Sequence, residues 1–118
     1  MDRLEELRRK VVAFRDEREW KQFHTPKDLA IALSIESAEL LEHFRFKSNE
    51  QTLRELEEKG KKEEVTDEIG DAMHVLLLLC EDLGIDLVEA TERKLAKAAK
   101  KYPVEKSKGK NLKWTAYA

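Results

Sequence analysis

The sequence predicts an all-α protein, a four-helix bundle. Three observations carry that expectation. Apolar residues recur at three- and four-residue spacing in several long stretches, as in Leu4, Leu7, Val11 and Phe14. The helix breakers are scarce, with four glycines and two prolines among 118 residues. Capping residues stand where the periodic stretches begin, and glycine or proline stands where they end.

The first helix is expected over residues 2–19, with charges between its apolar positions. WKQFHT, residues 20–25, breaks the period and reads as an aromatic-rich connection. Thr25 and Pro26 then open a second helix, because threonine caps well and proline suits the first helical position. Asp28 adds a carboxylate to that first turn, and the helix should run to about Phe44. Residues 45–60 are polar, with room for a short helix after Ser48 or Asn49 and a stop at Gly60. A third long helix should cover residues 61–83 and end at Gly84. Its core stripe is Val65, Ile69, Ala72, Met73, Leu76, Leu77, Cys80 and Leu83. Asp86 caps the fourth, with Glu89 three residues on, and Pro103 closes it near Tyr102. The chain divides on this reading into a helical domain, residues 1–105, and a basic C-terminal tail, residues 106–118.

Charged residues make up 41% of the chain and apolar residues another 41%, too apolar for a disordered protein. The net charge is -2, so no global field selects nucleic acid or a membrane as partner. The longest apolar run, VLLLLC, is far short of the roughly 20 residues that span a bilayer. A charged start, MDRLEELRRK, and a lone Cys80 fit a cytoplasmic protein without disulfides. Residues 75–79 are apolar nearly all round, more than a short bundle hides alone. A homo-oligomer would cover the remainder.

The chemistry is concentrated in two acidic pairs. SIESAELLEHF places Glu36 and Glu39 three apart inside an apolar helix, and EEVTDEIGD repeats the device with Glu68 and Asp71. Residues three apart share a helix face. Two antiparallel helices packed on those faces would gather four carboxylates. Like charges about 4 Å apart repel by roughly 4 kcal/mol at an effective dielectric near about 20, so such a quartet needs cations. An all-oxygen set favours Mg²⁺, with Mn²⁺ as a substitute, and Mg²⁺ in turn recruits substrate phosphates. The bland alternative is a solvated acidic face. A ferritin-like di-iron site is weaker: Asp71 and His74 have carboxylate-x-x-His spacing and His43 follows Glu39 by four, but the motif occurs once.

The segments RDEREWKQFHTPKDLAIALSIESAELLEHFRF, EEVTDEIGDAMHVLLLLCEDLGIDL and KYPVEKSKG resemble the MazG-like all-α nucleoside triphosphate pyrophosphohydrolases, in particular their compact single-domain dCTP-pyrophosphatase-like branch. The resemblance covers roughly residues 7–109. It implies a bundle of that family's type completed by oligomerisation, a dimer or, by preference, a tetramer built as a dimer of dimers. It implies Mg²⁺-dependent hydrolysis of nucleoside triphosphates to monophosphate and pyrophosphate. Glu36, Glu39, Glu68 and Asp71 would be the metal ligands, and Glu36 or Glu39 would also activate the water. Trp20 and Phe46 match positions that sandwich the base, His24 lies in the same F-H-x-P motif, and Lys94 and Tyr102 match phosphate contacts. Lys101, Lys106 and Lys108 are weaker phosphate candidates.

Three departures bear on the nucleotide pocket. Ala98 replaces an asparagine of the family pattern, Val75 stands where relatives often carry tyrosine, and Val11 where some carry histidine. A non-catalytic nucleotide- or metal-binding module is the reading these departures would favour.

Overall fold

The computed structural model describes residues 2–117, and among them every regular element is a helix. α1 spans Arg3–Glu17, α2 Pro26–Glu42, α3 Asn49–Leu56, α4 Lys59–Leu83, α5 Leu87–Lys101 and α6 Val104–Ser107. Short 3-10 turns occur at Lys21–Phe23 and Trp114–Tyr117. α1, α2, α4 and α5 are the four long helices expected from periodicity, each within a few residues of its expected bounds.

The caps explain the starts. Asp2, Thr25, Ser48 and Asp86 each accept a hydrogen bond from the backbone N–H three residues on, at 2.9, 3.2, 3.1 and 2.9 Å respectively. Each satisfies one of the N–H groups that a helix start leaves orphaned. The Thr25 hydroxyl also donates to the Asp28 carboxylate at 2.8 Å, which locks the start of α2. Gly84 ends α4 in the left-handed region at φ 65°, where glycine carries no Cβ penalty.

Gly60 does not act as a stop. It lies in the first turn of α4, which begins at Lys59. Glycine halts a helix by taking up the left-handed conformation, and only Gly84 and Gly109 have positive φ among the described glycines. Between α3 and α4 the chain passes only Glu57 and Glu58.

The chain forms two compact units, one up to Gly84 and one from Ile85 onward. In the first, α4 is the hub: α2 packs along it most extensively, with α1 and α3 also against it. Val11, Leu29, Val65, Leu77, Leu78 and Cys80 are its buried apolar side chains. α1 is tied to α4 by ions as well as by packing. Arg15, 2% exposed, donates from Nη1 to Asp82 at 2.9 Å and from Nε to Asp16 at 3.0 Å. Arg8 bridges Glu5 and Glu81. No helix among the described residues is long and apolar enough to cross a membrane.

In the second unit, the stretch expected as a basic tail is folded. α6 and the Trp114–Tyr117 turn follow α5, and that turn packs on it.

Candidate metal centre and adjoining cavity

α2 and α4 run antiparallel, since Glu36 and Glu39 meet Glu68 while Leu29 and Ala32 share a cavity with Val75 and Leu78. This pairing follows from the two apolar stripes, and it carries the acidic residues with it. Glu36, Glu39 and Glu68 each present a carboxylate oxygen within 4.8 Å of the others. That is three of the four expected ligands.

Asp71 stands outside this closest group, one turn along α4 from Glu68, and is exposed. Its charge is still felt: it helps raise the proton affinity of both Glu36 and Glu68. The separation reflects the axial offset of α4 against α2: Glu36 and Glu39 are also three apart, yet both meet Glu68.

The electrostatics are those of a site short of positive charge. Burial, then the hydrogen bond and charge of Glu39, push the Glu36 carboxyl above its ordinary value. The same causes raise Glu68, opposed by His43, whose Nε2 lies 3.9 Å from Glu68 Oε1. Oε2 of Glu36 and Oε2 of Glu68 are buried and have no hydrogen-bond partner among the described residues. An orphaned buried oxygen is costly, and a hard cation would satisfy both. The residues present therefore fit a divalent metal of the Mg²⁺ type. His43, at the C-cap of α2, was legible in the sequence only as an i+4 neighbour of Glu39.

Along both helices from the cluster lies a cavity of about 200 Å³. Ala32 is four residues before Glu36 and Val75 seven after Glu68, so the step is roughly 6 Å along α2 and roughly 10 Å along α4. Phe14, Trp20, His24, Asp28, His74 and Val75 are among its lining residues. Phe14 stands edge-on to Trp20 at 5.9 Å and to His74 at 5.7 Å, and Arg18 covers the Phe14 face at 3.6 Å. His24 Nδ1 is buried without a partner among the described residues. Trp20 is delivered by the end of α1. Glu19 takes a left-handed φ of 55°, which lets the Trp20 N–H reach the Arg15 carbonyl at 3.2 Å. A non-glycine residue held there is strained, a feature that clusters at functional sites.

Trp20 and His24 line the same cavity, with ring centroids 6.3 Å apart. Phe46 does not: it is 88% exposed at φ 61°, with Arg45 stacked on its ring at 4.3 Å. Its backbone leaves α2 in a turn that points the ring outward from this chain. His74 lines the cavity instead of joining the carboxylates, so the di-iron arrangement does not form. Lys94 lies on α5 and Tyr102 is its C-cap, both in the second unit. Phe14, Arg15, Asp28 and His74 as cavity walls, and the pairing of Arg15 with Asp82, were not foreseen from the sequence.

The chain belongs to the MazG-like family, whose family model matches residues 31–116. Among relatives, it is 33% identical over 112 residues to dCTP pyrophosphatase 1 of Rattus norvegicus and of Bos taurus. Each match takes in 95% of this chain and 66% of the relative, so the chain spans about two thirds of their length. A solved pyrophosphatase from Archaeoglobus fulgidus is 43% identical with a TM-score of 0.81, covering 87% of this chain and 94% of that one.

Proposed function

We propose that this chain hydrolyses nucleoside triphosphates, ribo- or deoxyribo-, to the monophosphate and pyrophosphate. The observation that carries the reading is the junction of two features in one unit: a carboxylate cluster with unpartnered buried oxygens, and an aromatic cavity further along the same two helices. The family match and the pyrophosphatase relatives support the same chemistry.

Glu36, Glu39, Glu68 and Asp71 would hold Mg²⁺, or Mn²⁺ in its place. When bound, the cation neutralises the triphosphate and makes the α-phosphorus more electrophilic. The chain supplies the rest. Glu36 or Glu39 orients a water and takes its proton as the water oxygen bonds to the α-phosphorus. The bond from that phosphorus to the bridging oxygen breaks, and pyrophosphate leaves. Trp20, Phe14 and His24 would receive the base in the cavity. An engineered cavity of about 150 Å³ already holds benzene, so a flat heteroaromatic ring fits the space. Lys94 and Tyr102, from the sequence pattern, are proposed phosphate contacts. Phe46 is proposed to reach a base only where a second copy of the chain brings one near. We infer a cytoplasmic homo-oligomer, a dimer of dimers by preference, with no nucleic acid or membrane partner.

The test is a panel of canonical and modified dNTPs and NTPs incubated with Mg²⁺. Monophosphate and pyrophosphate should appear, and Glu39→Gln should slow turnover by about a hundredfold or more. Diphosphate with inorganic phosphate would overturn the assignment of the cleaved bond. The exposed positions of Asp71 and Phe46 favour a second reading, a binding module without turnover. That reading wins if a triphosphate binds tightly while no metal yields product.

A further inference from the structure

Four titratable side chains stand among the walls of the cavity: Arg15, His24, Asp28 and His74. They differ in what they can read. The Arg15 guanidinium is already engaged by Asp82 at 2.9 Å and Asp16 at 3.0 Å. His24 Nδ1 is buried without a partner among the described residues, but an imidazole nitrogen donates or accepts according to its tautomer. It therefore suits either kind of edge, and His74 has the same freedom. Asp28 does not. A carboxylate only accepts, and Asp28 has no ion pair among the described residues.

Asp28 is also held ready. Its Oδ2 accepts from the Thr25 hydroxyl at 2.8 Å, and its backbone N–H donates to the same hydroxyl at 3.2 Å. These bonds start α2 and restrain the side chain, leaving Oδ1 without a partner among the described residues. An acceptor set in place beforehand loses little entropy when a donor arrives. Asp28 is exposed as well as lining the cavity, so its carboxylate stands where the cavity meets solvent. It precedes Glu36 by eight residues, roughly 12 Å along α2. That is of the order of the span from phosphate to the outer edge of the base in an extended nucleotide.

We propose that Asp28 is a specificity-determining residue: it makes the cavity favour bases that carry an exocyclic amine, cytosine or adenine, over their oxo counterparts, uracil and hypoxanthine. The proposal rests on the reading that the substrate is a nucleoside triphosphate. Stacking on Phe14 and Trp20 cannot make this choice, because every base has a π-face. The carboxylate can. It accepts from the amine, whereas the oxygen that replaces the amine meets it lone pair to lone pair. Attraction of one class and repulsion of the other act at the same atom.

Calorimetry with deoxynucleoside monophosphates reads the choice apart from any cleavage. dCMP and dUMP have nearly the same size and differ at one group, and dAMP and dIMP repeat the comparison on a purine. The wild type should bind the amine-bearing member of a pair about tenfold more tightly. Asp28→Asn keeps the size and still accepts at the helix start, but its amide can also donate. It should bring the ratio to about one with the urea midpoint nearly unchanged, and kcat/KM for dCTP against dUTP should follow. Equal affinities in the wild type would overturn the proposal without any variant, as would binding of none of the four. An Asp28→Asn protein that loses affinity for both members while keeping their ratio would overturn it too, since that is the mark of a structural role alone. Tenfold discrimination in a protein that cleaves no triphosphate would keep the role of Asp28 and remove the pyrophosphohydrolase reading.

Discussion

Glu36 and Glu68 are single residues whose placement is costly to the fold. Both carboxyls bind protons more tightly in the folded chain than the ordinary value 4.5. The fold therefore prefers their protonated forms. Their contribution to stability is full below the ordinary value and is lost as pH rises through the raised value. Metal-free protein should accordingly lose stability as pH climbs from about 4.5 towards neutrality. A divalent cation that binds the folded state should recover that loss. Urea denaturation across this range, with EDTA and with Mg²⁺, reads the effect. The double variant Glu36→Gln, Glu68→Gln should flatten the slope and abolish the Mg²⁺ response. A slope that survives in the double variant would place its origin elsewhere. This strain was half-legible in the sequence: two E-x-x-[ED] pairs on apolar helices announce crowded carboxylates. The placement of Asp71 outside the tightest group was not legible, because it depends on the axial offset of α4 against α2.

At the scale of elements, α1 forms one wall of the cavity through Phe14 and Arg15, and a buried ion pair fixes it there. Arg15 is 2% exposed and its partner Asp82 on α4 is also shielded. Removing Asp82 leaves a buried guanidinium with only the exposed Asp16 to balance it. Asp82→Ala should therefore cost about 3 kcal/mol, whereas replacing both partners with apolar residues should come close to neutral. The urea midpoint would fall for Asp82→Ala and recover in Arg15→Met, Asp82→Leu, with the denaturation slope unchanged. Equal losses in the single and double variants would show that packing, not charge, sets the cost. Three helix starts were readable because caps act through three-residue hydrogen bonds, and Thr25, Ser48 and Asp86 cap as their types dictate, whereas α4 starts at Lys59 without a side-chain cap. The Arg15–Asp82 pair was not readable, since 67 residues separate its members. Gly60 misled because glycine marks a stop only where the chain turns left-handed.

For the whole molecule, the apolar surface left uncovered is the decisive quantity. The first unit fully buries only a handful of apolar side chains, while large ones stay open. Ile31 and Ile35, 49% and 52% exposed, sit four apart on one face of α2. On α4, Ile69 and Leu83 are 55% and 50% exposed. With Ala72, Leu76 and Leu79 between them, they make an apolar row at alternating three- and four-residue spacing, the pattern by which helices pair. A monomer rarely leaves such rows in water. The chain should therefore run in solution at two or four times its 13.8 kDa, with a melting temperature that rises with protein concentration. Ile31→Glu with Leu83→Glu puts charge into both rows away from the carboxylate cluster, so it should shift the mass downward and lower that melting temperature. Light scattering behind size exclusion reads the mass, and the tetramer and dimer separate by a factor of two. A wild type that stays at 13.8 kDa at high concentration and unfolds cooperatively would show that these rows need no second copy. Activity adds the last discrimination. Phe46 stands out from its own chain, so a drop in turnover that tracks dissociation would mean that the copy next door completes the base site. Turnover that survives dissociation would mean that Trp20, Phe14 and His24 suffice.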